Sequence, residues 1–219
     1  EQLRSGWGAL LKPLAWQGAL CYGPSPSSKA TFTHPASLLK NWNGLPDPAE
    51  AAPAVIKRYL SAYGPATPET FDAWLSRNSN KKSTLRSWFA SLGEQIVEVR
   101  VEGETRYLLA EHEDELAATR PSRAPHLLGA FDQFVLGPGT KDTHMLAHEH
   151  RPLVSKAAGW IAPVLTQGGR ITGVWEMDDG NLVVTPFPGE QAPPSQVLED
   201  AAARLTAVHG SVKVTPRVD

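Results

Sequence analysis

Cysteine is almost missing from this 219-residue chain: Cys21 is the only one. A lone thiol excludes an internal disulfide framework and fits a reducing compartment, so a cytoplasmic location is expected. Long apolar runs are missing as well. No window approaches the roughly 18 apolar residues that a membrane-spanning helix needs, and no basic start followed by an apolar run marks a secretory signal. Net positive charge is also lacking, with 21 Lys and Arg against 23 Asp and Glu. That excludes a uniformly basic nucleic-acid binder and makes the distribution of charge the informative quantity. Acidic residues are absent from two stretches: Gln2 to Pro46, which carries Arg4, Lys12, Lys29 and Lys40, and Ala73 to Gly93, which carries Arg77, Lys81, Lys82 and Arg86.

What is present is a run of helical and hairpin patterns. Leu3, Trp7, Leu10, Leu11 and Leu14 recur at spacings of three and four, one face of a helix that Gly18 should stop. Glu1 is not Met and the helical pattern starts at once, so the natural start is expected upstream. Ala19–Gly23 and Ala30–Thr33 are two strand-like runs separated by prolines and serines, a hairpin with a loose tip. Residues 41–53, with three prolines and a glycine, are expected to be a linker. Val55, Ile56, Tyr59, Leu60 and Tyr63 then form the apolar stripe of a helix that ends at Gly64-Pro65. Thr67-Pro68 reads as a cap and first helical residue, with Phe71, Trp74 and Leu75 as the buried edge of the helix that follows. A third helix is expected from about Ser83 to Leu92, with Leu85, Trp88, Phe89 and Leu92 facing inward. Strict alternation of Val97, Val99 and Val101 with Glu98, Arg100 and Glu102, a turn at Gly103 and a return from Arg106 to Ala110 complete a second hairpin.

Three helices and a hairpin in about 60 residues make a winged helix, a helix-turn-helix variant whose third helix usually enters the major groove. The opening helix and hairpin look like the second half of another. Residues 111–125 are expected to be an acidic linker. Trp160–Thr166, Arg170–Met177 and Leu182–Phe187, joined by Gly- and Asp-rich turns, read as an antiparallel meander, covered by a helix at about Ser195–His209, with Val212–Thr215 as a further edge strand. The expected class is therefore α+β: tandem winged-helix units, the first partial, then an antiparallel sheet with a packed helix. The expected divisions are residues 1–45, 46–115 and 116–219.

The expected ligand is double-stranded DNA. Lys29 and the serines at the first hairpin's tip, with Arg77, Lys81, Lys82, Ser83, Thr84 and Arg86 around the third helix, are types that bind phosphate or read base edges. A solvated helix face is the plain alternative. Glu94, Glu98, Glu102 and Glu104 on or beside the second hairpin argue the other way, because an acidic wing repels a phosphate backbone. Either the third helix makes the contact, or the second winged unit is scaffold and the first hairpin makes it.

Four segments carry a family resemblance: GWGALLKPLAWQGALCYGP at 6–24, IKRYLSAYGPATPETFDAWL at 56–75, HLLGAFDQFVLG at 126–137 and AGWIAPVLTQGGRITGVWE at 158–176. In this order they resemble a bacterial family of winged-helix proteins that includes the AlkZ-like, YcaQ-type DNA glycosylases. The resemblance implies tandem winged helices, a β-containing C-terminal region and DNA as ligand. In glycosylase members it implies cleavage of the bond between an alkylated or crosslinked base and its sugar, through a Gln-x-Gln or Gln-x-Asp element near the family's N-terminus. Gln2, Gln17, Gln95, Gln133, Gln167, Gln191 and Gln196 all lack Gln or Asp two positions later, so no catalytic residue carries over. No cofactor is expected. A regulatory winged-helix protein without chemistry and a protein-interaction module are the other two readings.

Other constellations read plainly. His144, His148 and His150 have partial metal-ligand spacing, but the flanking Gly137-Pro138-Gly139 and Pro152 favour a polar loop, and no metal site is expected. Asp132, between aromatics, is either a buried acid or a turn cap, with Arg151 as a possible partner. Cys21 reads as a core residue. Of seven tryptophans, Trp7, Trp74 and Trp88 fall on apolar helical faces and are expected in cores.

Overall fold

A computed structural model describes residues 11–25, 29–120, 122, 124–178, 181–209 and 213–218. The expected helix positions at Leu3, Trp7 and Leu10 and the serines at 27 and 28 lie outside them. By contacts the chain divides into two compact units, 1–52 and 53–219.

In the first unit, helix α1 spans Lys12–Trp16, and Gly18 takes a left-handed φ of 69° just past its end. Strands β1 (Cys21–Tyr22) and β2 (Phe32–Thr33) pair antiparallel, as the sequence pattern predicts but over two residues each. Period-2 alternation turns Cys21 and Thr33 to the half-buried side and Tyr22 and Phe32 outward.

The expected linker at 41–53 is corrected. Helix α2 runs from Pro48 to Tyr63. Proline is well suited to the first helical position, and the Asp47 side chain accepts the Ala49 N–H at 2.8 Å. Pro53, inside the helix, removes one hydrogen bond toward the Ala49 carbonyl without ending it. Helix α3 is Pro68–Ser76, with Thr67 accepting from the Thr70 N–H and the Thr70 hydroxyl answering the Thr67 N–H. Its buried residues are Phe71 and Asp72; Trp74 and Leu75 are exposed, contrary to expectation, although the Trp74 ring packs 5.1 Å from that of Tyr59. Helix α4 is Lys82–Ala90, and β3 (Ile96–Val101) pairs with β4 (Glu104–Leu109) through a turn in which Glu102 and Gly103 have φ of 48° and 89°. Positive φ at both central residues is the two-residue hairpin geometry that matches strand twist. The rings of Tyr59, Phe71, Phe89 and Tyr107 follow one another at 5.3–5.7 Å and join α2, α3, α4 and β4. Ala66, between α2 and α3, forms a two-way backbone bridge with Tyr107.

The expected acidic linker holds a short helix, α5 (Glu113–Ala118), whose first turn is Glu113, Asp114 and Glu115. Carboxylates there complement the positive end of the helix. Beyond it, β5 (His126–Leu128), β6 (Val164–Gln167), β7 (Arg170–Asp178), β8 (Asn181–Pro186) and β9 (Lys213–Val218) form one sheet in chain order. The central meander is as expected. The edge strand β9 corrects the expected antiparallel sheet, because it pairs parallel to β8. One sheet face packs Leu127, Leu165, Trp175, Leu182 and Val184 against Leu198, Ala201 and Ala202 of helix α8 (Ser195–His209). The other face, including Val164 and Ile171, packs on Val135 of α6 (Gln133–Leu136), on Met145 and Leu146, and on Val154 of α7 (Arg151–Val154).

Candidate nucleic-acid interface

The turn from α3 to α4 is built around one buried carboxylate. Asp72, 2% exposed, accepts the Ser76 hydroxyl, the Asn80 side-chain amide at 2.7 Å and the Asn80 backbone N–H at 3.3 Å. Its backbone carbonyl takes the N–H groups of Arg77 and Asn78. Ser79 adds bonds to the Ser76 hydroxyl and carbonyl. A buried charge is tolerable only when hydrogen-bonded this fully. The network also holds Arg77 and Asn78 at left-handed φ of 59° and 64°, which costs about 1–2 kcal/mol at Arg77 and less at Asn78, whose short polar side chain tolerates that region.

The turn delivers the chain into α4 with a bare positive end. Lys81 stands at the cap position without a side-chain cap bond, and no acidic residue lies in the first turn. The helix dipole and the lysine charges therefore add, and N–H groups there are available to an anion. Lys81, Lys82, Ser83 and Arg86 are exposed, as is Arg77 at the end of α3; Thr84, expected to face outward, is half-buried. Among the described residues no carboxylate ion-pairs with Arg77, Lys81, Lys82 or Arg86. Lys29 is exposed too, in the first unit, on a hairpin braced by the Thr31 hydroxyl on the Pro24 carbonyl at 2.6 Å.

The acidic hairpin differs from its sequence-level picture. His144 bonds Glu102 at 2.7 Å through Nδ1 and Glu104 at 3.3 Å through Nε2. Arg106, only 9% exposed, reaches Glu104 at 3.3 Å, Asp142 at 3.4 Å and the Pro65 carbonyl at 3.5 Å. The His144 hydrogen bond first, and the Arg106 bond second, hold the Glu104 carboxyl below its ordinary pKa. Glu98 accepts the Tyr107 hydroxyl at 3.3 Å. The hairpin's acids are thus largely engaged with partners in the same unit. Beside them lies an open cavity of about 510 Å³ lined by Thr67, Thr70, Glu104, Arg106, Lys141 and His144. The Arg106 Nε is buried with no hydrogen-bond partner among the described residues.

The remaining sequence candidates separate. His150 packs its ring 4.5 Å from Phe187, His148 is exposed and His144 is committed to the hairpin, so the three histidines do not converge. Asp132 caps α6 by accepting the Phe134 N–H at 2.8 Å, and Arg151 donates to the Thr140 hydroxyl instead. Cys21 is half-buried beside Leu38, Leu39, Trp42 and Leu45. Asp72, Ser76 and Asn80 escaped the sequence reading. Their spacing of four and four, with an acid next to the buried Phe71, is the signal that could have found them.

The family described as DNA glycosylase AlkZ-like matches residues 2–208. The chain is 54% identical over all 219 residues to an interstrand DNA cross-link repair glycosylase of Streptomyces sahachiroi, and spans 59% of that protein. The solved structure of Streptomyces sahachiroi DNA glycosylase AlkZ superposes on the whole chain with a TM-score of 0.93, at 54% identity, again over 59% of the longer chain.

Proposed function

The chain belongs to the DNA glycosylase AlkZ-like family, and on that premise we propose that it supplies the duplex-holding surface of a glycosylase acting on alkylated or crosslinked bases. The observation that carries this reading is the α3–α4 turn: a buried Asp72 network presents the uncapped, acid-free start of α4 with exposed Lys81, Lys82 and Arg86. Residues 46–115 act as a winged helix, with Ala66 bridging to Tyr107 as the short third strand beside the wing. Residues 1–45 are half of a second such unit, and 116–219 form the α+β remainder. Helix α4 lies in the major groove, Arg77, Lys81, Lys82 and Arg86 meet phosphates, and Ser83 faces the groove. Thr84 contributes through packing. Lys29 meets phosphate from the first unit. The bond-breaking residues of such an enzyme are assigned outside this chain, because no glutamine here has the Gln-x-Gln or Gln-x-Asp spacing.

The test is binding of a short duplex across several salt concentrations. Each lost phosphate contact lowers the slope of log K against log salt by about 0.9. Lys81→Glu/Lys82→Glu should weaken binding to all duplex sequences alike and flatten the slope by about two units. Lys29→Glu should flatten it by about one. Wild-type affinity and slope in the Lys81→Glu/Lys82→Glu variant would remove α4 from the interface. The interaction-module reading, favoured by the net charge of −2, would then stand in its place unless Lys29→Glu alone reduced binding.

A further inference from the structure

The first unit carries an aromatic feature that phosphate contacts do not use. Tyr22 and Phe32 are register partners across β1–β2, with ring centroids 5.3 Å apart and planes 28° from parallel. They are 73% and 48% exposed. The alternation that places Cys21 and Thr33 on the half-buried side forces both rings outward. Trp16, at the end of α1, is 72% exposed. Tyr22 also lines an apolar groove with Ala15, Leu38, Leu39, Trp42 and Leu45. Aromatic and aliphatic surface left in water in this density marks a contact site.

Charge selects the partner. Between Glu1 and Asp47 there is no carboxylate, while Lys12, Lys29 and Lys40 are exposed. A polyanion is therefore attracted, and stacked rings need a flat apolar partner. We infer that the Tyr22–Phe32 pair is a stacking platform for the unpaired bases of a single-stranded stretch of DNA, an inference that rests on the reading of DNA as ligand. Duplex bases are already covered on both faces by their neighbours, so only a base out of its pair can lie on the Tyr22 ring. Stacking on aromatic faces is tolerant of sequence and independent of salt, and phosphate contacts are the reverse on the second count. Lys29, three residues before Phe32, would follow the backbone of the strand.

The experiment compares a thymidine oligomer with an abasic oligomer of the same number of phosphates, at several salt concentrations. The wild-type chain should prefer the thymidine oligomer by about ten-fold. Tyr22→Leu keeps an apolar side chain but removes the ring; it should erase most of that preference while leaving the salt slope unchanged, and Tyr22→Phe should retain it. Lys29→Glu should flatten the slope and keep the preference. A wild type that does not distinguish the two oligomers, or a Tyr22→Leu/Phe32→Leu variant of wild-type melting temperature that still does, overturns the platform. So does a wild-type dimer, seen by sedimentation, that dissociates in Tyr22→Leu, since a second copy then covers the rings. If duplex binding still responds to Lys81→Glu/Lys82→Glu in those cases, the duplex-holding reading survives. If the wild type binds neither duplex nor single strand, both fail together.

Discussion

Hairpin β1–β2 pairs only Cys21 with Thr33 and Tyr22 with Phe32, whereas β3–β4 pairs six residues on each side, from Ile96 with Leu109 to Val101 with Glu104. The short hairpin turns its two large rings outward. The long one turns Arg106 inward, to Asp142 and the Pro65 carbonyl, and its exposed Glu102 and Glu104 are bonded to His144. The same supersecondary unit is thus used in two ways. A hairpin whose polar groups are spent on its own unit is fixed and has little left for a ligand. A hairpin held by few backbone bonds, and free of acids, keeps its side chains for a partner. Net charge along the sequence does not reveal the difference, because what matters is whether each charge already has a partner.

The largest effect should come from Arg106. Its side chain is 11% exposed and that of Asp142 7%. Removing one member of a buried pair leaves the other charge uncompensated, at a cost of roughly 3–5 kcal/mol. Arg106→Ala should therefore lower the unfolding free energy by about that much in denaturant titration. Arg106→Met/Asp142→Leu should recover most of it, since a matched apolar pair is often no worse than the ion pair. Phe32→Ala and Tyr22→Ala, on the other hairpin, should stay within about 0.5 kcal/mol of wild type, as exposed sites do. A loss below about 1 kcal/mol for Arg106→Ala would mean that β3–β4 is held no more firmly than β1–β2.

The next effect belongs to the turn of the long hairpin. Gly103 sits at φ 89° with open space where a Cβ would be. The penalty for a side chain there is conformational, so Gly103→Ala should cost about 1–2 kcal/mol without a packing term. Thermal melting reads it. A neutral result would show that the turn can change its geometry, and that the tip is positioned by His144 alone.

Local signals made much of this legible in the sequence. Thr67-Pro68 announces α3 because capping chemistry is decided within four residues, and the alternation from Val97 to Val101 announces β3 because period-2 burial is local as well. The proline-rich stretch misled for a physical reason: Pro48 takes the first helical position, where its missing N–H costs nothing, and Pro53 is carried by the helix around it. Helix α5 has no apolar stripe to betray it, and Leu116 is itself exposed. The three-residue β5 is too short for its pattern to register, and the parallel pairing of β9 depends on a partner strand that no local signal names. The candidate site divides the same way. The lysines at the start of α4 stand out by composition, while the bonds that engage the acids of the long hairpin join residues 36 to 42 positions apart. Which acids are free is a tertiary property.

The smallest expected effect is also the sharpest test of that last point, and it concerns pH. Bonds from His144 and then Arg106 hold the Glu104 carboxyl below the usual carboxylate range. A group whose folded pKa is depressed binds fewer protons in the folded state. Its contribution to stability is complete above the unfolded pKa and disappears as pH falls through the folded one. Unfolding free energy measured from about pH 6 down to about pH 3 should therefore decline, and Glu104→Gln should decline less steeply over the same range. Glu104 is exposed, so solvent screening keeps the difference small. Parallel curves for wild type and Glu104→Gln would mean that His144 and Arg106 do not hold the carboxylate in solution. The acids of the long hairpin would then be free to repel a phosphate backbone, and the contrast between the two hairpins would rest on Arg106 and Asp142 alone.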